Sequence, residues 1–356
     1  MKTIHVIGGG ITGCFLAFFL KDKYHIKLYE KTGHLGGLSS TFYSIENIPY
    51  QKGFHILHTN QQWILNIIQR AGVNLQRVYY DVGINPLIDF NHYSFPFSDS
   101  VIDKMPWHWK EAIKQDISVL TGSAGSNLKE EVINFYGETI YEIFYKGWIE
   151  KLTFTNPELI DETSWFRKHL HPIDKNINYY KEDCYFPVEQ GWNKLFAHLT
   201  KDAEVVYQEV SDEDFSQRDE IILTIRPDKF FKEETLKYVG INFEIDSALY
   251  NPKKPDTIIY PNDTPFISMS QYGKLFNPEN QVDGKNIIVK EYTSINSGED
   301  AYPIITKKNI SAYKAYINTI RSGIHLCGPL AEYRHMSMAD SIESAHRLAG
   351  ELKHKV

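Results

Sequence analysis

The chain has 356 residues, 42% hydrophobic and 14% aromatic, enough for a large core shared between two or three lobes. Its net charge is −7 with no basic tail or block, which argues against a nucleic-acid partner but leaves room for a basic pocket that takes an anionic small molecule. No apolar run reaches the roughly 20 residues of a membrane span, and Cys14, Cys184 and Cys327 have neither metal-ligand spacing nor an even count, so they read as buried thiols of a reducing cytoplasm with no metal site.

Thr3 to Ile7 is an apolar strand that runs into Gly8-Gly9-Gly10-Ile11-Thr12-Gly13 and then an apolar helix from Cys14 to Leu20. It ends in glycines rather than a cleavage site, so it is not read as a signal peptide. A second strand, His25 to Tyr29, ends at Glu30. GxGxxG between strand and helix, with an acid after the next strand, is a dinucleotide-binding arrangement. Gly8 makes the tight turn, Gly10 lets backbone approach a pyrophosphate, and Gly13 lets helix and strand pack closely. The helix N-terminus offers N–H groups to phosphate, and Glu30 can accept from ribose hydroxyls. After Glu30 comes Lys31, then Gly36-Gly37-Leu38-Ser39, the E-K-x-x-x-x-G-G spacing that resembles FAD-binding proteins of the amine-oxidase and glutathione-reductase type. It favours FAD over NAD.

Further along, GFHILHTN (53–60) carries His55 and His58 around Ile56. Residues 61 to 72 predict an amphipathic helix, and 91 to 98 a turn-rich aromatic stretch. From 103 to 170 the periodicity is mostly helical; Val132 to Lys151 is one aromatic helix that Lys146-Gly147 could interrupt. The polar segment 161 to 180 reads as a mobile loop, and a helix starts at Lys194. Short strands are expected at 204–210, 221–225, 257–260, 266–271 and 286–289, a helix at 313–320, and a late strand at 324–327 before the Gly328-Pro329 turn.

This order predicts an α/β fold: a Rossmann-like FAD-binding domain with an inserted helical bundle and an inserted antiparallel β-sheet. The discontinuous FAD domain would take 1–90 with about 200–230 and 310–356; the helical insertion about 100–170; and the substrate-side sheet about 171–199 with 231–309. The last strand would rejoin the first sheet and aim its helix at the ligand.

Several blocks in order resemble the UDP-galactopyranose mutase family: GGGITG with Glu30, GFHILHTN (53–60), HYSFPFS (92–98), IYEIFYKGWIEK (140–151), EYTSINSGEDAYP (291–303) and GPLAEYRHMSM (328–338). The resemblance implies an isomerase with FAD active in its reduced form, whose N5 attacks the anomeric carbon of a nucleotide sugar so that pyranose and furanose exchange with no net redox change. NAD(P)H is the external reductant it would suggest. It implies His55 and His58 as catalytic residues against the flavin, and cofactor contacts from Gly8, Gly10, Ile11, Thr12, Gly13, Glu30, Lys31, Gly36, Gly37, Leu38, Ser39, His55, Ile56, Gly328, Glu332, Tyr333, Met338 and Ser341. For the substrate it implies Tyr145 and Trp148 about the base, with Phe144, Thr153, Tyr179, Tyr302, Arg334 and His335. A homodimer is the default expectation.

The chain departs from the family in places. Lys151-Leu152-Thr153 stands where the family has K-Q-W, Pro329 stands for an arginine that grips the diphosphate, His335 for a tyrosine, and Ser268 for a further arginine. Each lost arginine removes a charge-assisted contact of roughly 1.5–3 kcal/mol. These losses point away from UDP-galactose itself and toward another nucleotide sugar, such as a dTDP-linked one. They also leave a second reading, an FAD-dependent oxidoreductase of the amine-oxidase or protoporphyrinogen-oxidase type.

Overall fold

The first thirty residues lay the floor of the molecule. In the computed structural model, strand Thr3–Ile7 is flanked by His25–Glu30 and Glu220–Leu223, with Glu204–Tyr207 and Ile324–Leu326 at the edges of a five-stranded parallel sheet. The structure describes all residues except 87–91, 121–122, 161–169, 171–172, 174–178, 189–190, 250, 252, 274, 277–283 and 355–356. Parallel strands are buried on both faces and so read as continuous apolar runs; Ile4, Val6, Ile221, Ile222 and Leu223 accordingly lie in the core. The first helix, Ile11–Leu20, packs beneath this sheet beside the last helix, Met338–His354. The chain's return to its first sheet is thus as expected.

The second layer is a seven-stranded sheet ordered 299–303, 238–249, 285–295, 268–271, 257–259, 82–84, 93–95. Sequence reading expected it to be antiparallel. It is mixed, because Thr257–Ile259 runs parallel to Val82–Ile84. That pairing takes 82–84 out of the FAD domain, where the 1–90 boundary had put it. The helix Asn193–Thr200 moves the other way: Leu195, Phe196 and Leu199 pack in the core of the first helix rather than with the substrate-side sheet. The long strand Tyr238–Leu249 was missed because its outer half is polar and exposed, with Glu244, Asp246 and Ser247.

A helical lobe caps the sheet. Its helices Trp107–Ile117, Leu128–Tyr136 and Lys146–Thr153 enclose Ile113, Val132, Tyr136, Phe144, Tyr145 and Ile149. The expected single helix over 132–151 is broken at Gly137 (φ +93°), where an added Cβ would lie 2.4 Å from Asp116 Cβ. Asp116 Oδ2 accepts from Thr139 N at 2.7 Å and so starts the next turn. Gly147 does not interrupt the helix; an added Cβ there would meet Pro261 O at 2.0 Å, so the glycine is needed for close approach to the sheet's loop.

Arg226 pins the two layers together. Its fully buried guanidinium meets Asp228 Oδ2 at 2.8 Å and Asp300 Oδ1 at 3.2 Å, and lies 4.4 Å from the centre of the Tyr238 ring. Removing one partner of a buried ion pair leaves a charge without compensation. Arg226→Met is therefore expected to cost about 3–5 kcal/mol in chemical denaturation; a loss below about 1 kcal/mol would contradict this role.

Candidate active site

The turn from strand to first helix is shaped by glycine. Gly8 has φ +106°, and a Cβ on Gly13 would stand 1.9 Å from Gly8 O, so helix and strand approach as only glycine allows. No side chain caps the helix at Gly10, and an added Cβ on Gly10 would meet nothing within 4 Å. The first-turn N–H groups thus carry no side-chain cap and backbone at Gly10 can be approached, which suits a pyrophosphate. Gly36 N donates to Gly9 O at 2.7 Å and Gly37 follows at φ +58°, so the second glycine pair backs the first. Glu30 is buried; its Oε2 accepts from Gly9 N and its Oε1 from Thr32 N, both at 2.8 Å. The Thr32 hydroxyl takes the second lone pair of Oε1 at 2.9 Å, so Oε2 is the oxygen that keeps one for a ribose hydroxyl. These residues fit a dinucleotide. Lys31 is exposed.

The late joint closes on the same cradle. Gly328 has φ +89°, and a Cβ there would lie 2.6 Å from Thr12 Oγ1. Glu332 holds the turn: it accepts from Gly328 N at 2.8 Å, from the Ser344 hydroxyl, and from Arg347 Nη2 at 2.8 Å. Ser337 and Asp340 form a capping box that starts the last helix, with Met338 and Ser341 buried in its first turn. Tyr333 is a correction. Its hydroxyl donates to Lys237 O at 2.8 Å and its ring stacks on Tyr313, so it joins the layers instead of meeting a flavin.

The two histidines part. His55 stays beside the cradle: its backbone carbonyl accepts from Trp192 Nε1 at 2.8 Å and its N–H donates to the buried Gln51 side chain at 3.1 Å. Burial lowers its imidazole to about 4. His58 stacks on Tyr180 at 4.0 Å with Glu182 3.6 Å from Nδ1, so its ring is committed to packing, against the expectation that it is catalytic. Gln51, Trp192 and Glu291 were not picked out in the sequence. Glu291 does open the EYTSINSGEDAYP block, but its position is set by a strand register that only the fold shows.

On the substrate side, Phe144 and Tyr145 are also corrected: both are sealed in the helical core, where Tyr145 stacks on Tyr136 at 5.5 Å. Thr153 is buried and bonds back to Ile149 O at 2.8 Å. Trp148 remains partly exposed. Tyr179 packs edge-on against Tyr80 and Tyr180. The rest of the 161–180 stretch, apart from Leu170, Ile173 and Tyr180, lies outside the described residues. Lys151 clamps a loop, donating to Asn262 O, Thr264 O and Phe266 O within 3.0 Å. Tyr302 donates to Leu152 O at 3.0 Å and packs 5.2 Å from His335. His335 and Arg334 in turn line a cleft of about 590 Å³ with Lys314, Tyr313 and Arg347.

Two outcomes follow. Gly13→Ala should abolish retention of a bound dinucleotide through gel filtration, because its Cβ would overlap a backbone carbonyl; full retention would contradict the close packing. His55 has a depressed value in the fold, so its contribution to stability is complete above 6.5 and is lost as pH falls from 6.5 toward 4. His55→Gln should flatten the pH dependence of denaturation in that window, and an unchanged slope would contradict the burial.

A family profile described as UDP-galactopyranose mutase matches residues 143–335, and one described as an NAD(P)-binding Rossmann-like domain matches 6–71. The chain is 20% identical to a Klebsiella pneumoniae protein named "Probable UDP-galactopyranose mutase", covering 98% of this chain and 94% of that one. It is 21% identical to the dTDP-fucopyranose mutase of Escherichia coli, covering 97% of each. Among solved structures, a reduced UDP-galactopyranose mutase superimposes with TM-score 0.82 at 15% identity, covering 100% of this chain and 94% of that one. Putrescine oxidase bound to putrescine gives 0.61 at 11% identity and 99% coverage of each, a likeness of fold. The profile spans more than half of the chain, so the chain belongs to the UDP-galactopyranose mutase family, a family of isomerases.

Proposed function

We propose that the protein binds FAD and interconverts the pyranose and furanose forms of a nucleotide sugar without net redox change. The observation that carries this is the double closure of the cradle: the first turn and the late Gly328 turn meet at Thr12, while the same late joint runs on through Arg334 and His335 to Tyr302. A dinucleotide cradle thereby adjoins a cleft able to hold a second phosphorylated ligand.

When bound and reduced, FAD supplies N5 as a nucleophile toward the anomeric carbon, and NAD(P)H is a reductant consistent with this. The chain's own residues do the rest. The first-helix N–H groups and Glu30 orient the dinucleotide, and Glu332 fixes the Gly328 turn against it. His55, neutral above about 4, brings no cation to the flavin side. Trp148 offers a ring face to a base. Arg347 is taken by Glu332 and Glu351, whereas among the described residues Arg334 and Lys314 form no ion pair and remain for a diphosphate. This set stands in for the arginines replaced by Pro329 and Ser268. It suits the diphosphate that UDP- and dTDP-linked sugars share.

The test is chromatography of nucleotide sugars incubated with purified protein, with and without dithionite; UDP-galactopyranose and dTDP-fucopyranose are the first probes. The expected result is a new peak of unchanged mass that forms only with reductant. Oxygen consumption with no isomer formed would overturn the proposal in favour of an oxidase.

A further inference from the structure

Glu291 sits on the inner face of the seven-stranded sheet, on the same side as Ile287 and Val289, which pack in the main core. Its Oε1 lies where a Cβ on Gly53 would come within 3.1 Å, and His55 Cε1 approaches the same point at 3.5 Å. Ser268 is its partner directly across the ladder. Tyr80, Tyr272 and Tyr302, whose own hydroxyls donate to Thr257 Oγ1, Gln51 O and Leu152 O, all feel its charge. The lysines beside this carboxyl and beside Gly53 are committed elsewhere: Lys290 pairs with Glu244 and Asp246, and Lys52 with Glu299. No cation among the described residues compensates this carboxyl, which stays partly accessible between the His55 side of the cradle and Tyr302.

We propose that Glu291 carries the proton between the two sugar oxygens during ring contraction, an inference that rests on the function proposed above. As the bond from the anomeric carbon to the ring oxygen breaks, the electron pair leaves with that oxygen and Glu291 gives it a proton. The anomeric carbon then takes the pair of the second hydroxyl oxygen in place of the one it lost. The carboxylate removes that hydroxyl's proton and is again neutral, so protons and electrons balance over the cycle.

The electrostatics agree. Burial raises Glu291 to about 7. The family's arginine at the position of Ser268 would sit across the ladder from this carboxyl and favour its ionised form. The serine leaves a carboxyl that titrates near the working pH, where an acid is best placed to give and retake a proton.

The test compares wild type with the isosteric Glu291→Gln, both loaded with FAD, using the nucleotide sugar that wild type converts. The expected result is a fall in turnover of about a hundredfold or more, with flavin content unchanged. Wild-type turnover should decline as pH rises through about 7, as the acid ionises, and the variant should lack that limb. Infrared difference titration should show one protonated carboxyl that ionises near pH 7 in wild type and is missing from the variant. Wild-type turnover in the variant, or a Glu291 carboxyl already ionised at pH 5.5, overturns the inference. A wild type that converts neither UDP-galactopyranose nor dTDP-fucopyranose, with the infrared band present, instead removes the function on which it rests.

Discussion

Everything in the site depends on one close contact, that of the first helix on the first strand. Gly13 sits so near the Gly8 carbonyl that no side chain fits between them. That contact aims the helix N-terminus at the carboxyl ends of the strands, where a parallel sheet collects its ligands. Glu30 and the Gly36 turn then hang from Gly9, and Gly328 can approach Thr12 because its side is bare. Residues three hundred positions apart in the chain thus enclose one cradle.

The second layer adds chemistry that the cradle lacks. The long ladder between 238–249 and 285–295 sets Glu291 opposite Phe243 on one side and Ser268 on the other. Arg226 ties that sheet to the end of strand Glu220–Leu223, so the distance between cradle and ladder is fixed by a buried charge network rather than by loops. Lys151 does similar work for the helical lobe, holding the loop 262–266 with its ammonium, whose value burial lowers to about 8. Where the family has Lys-Gln-Trp, this chain has a structural clamp at Lys151 followed by Leu152 and by Thr153, whose hydroxyl bonds back to Ile149 O.

The cradle was legible in the sequence because it is local. Gly8, Gly10, Gly13, Glu30 and Gly36 act within forty residues, and their spacing carries their geometry. The late joint was legible as a block, though the direction of its side chains was not: Tyr333 adopts φ +53° and swings away into a tyrosine cluster. Phe144 and Tyr145 have the composition of a stacking platform, but a π-helical turn over Tyr141–Tyr145 rotates them into the core. Glu291 and Gln51 were invisible as site residues because strand register and burial decide their roles, and neither leaves a mark in spacing.

The measurement that tests the central claim most directly is a count of turnovers per electron pair. FAD-loaded protein is reduced anaerobically with one equivalent of dithionite and supplied with excess nucleotide sugar. The account predicts many molecules of isomer for each equivalent, with the flavin still reduced at the end. One product for each equivalent, with the flavin reoxidised, would contradict it.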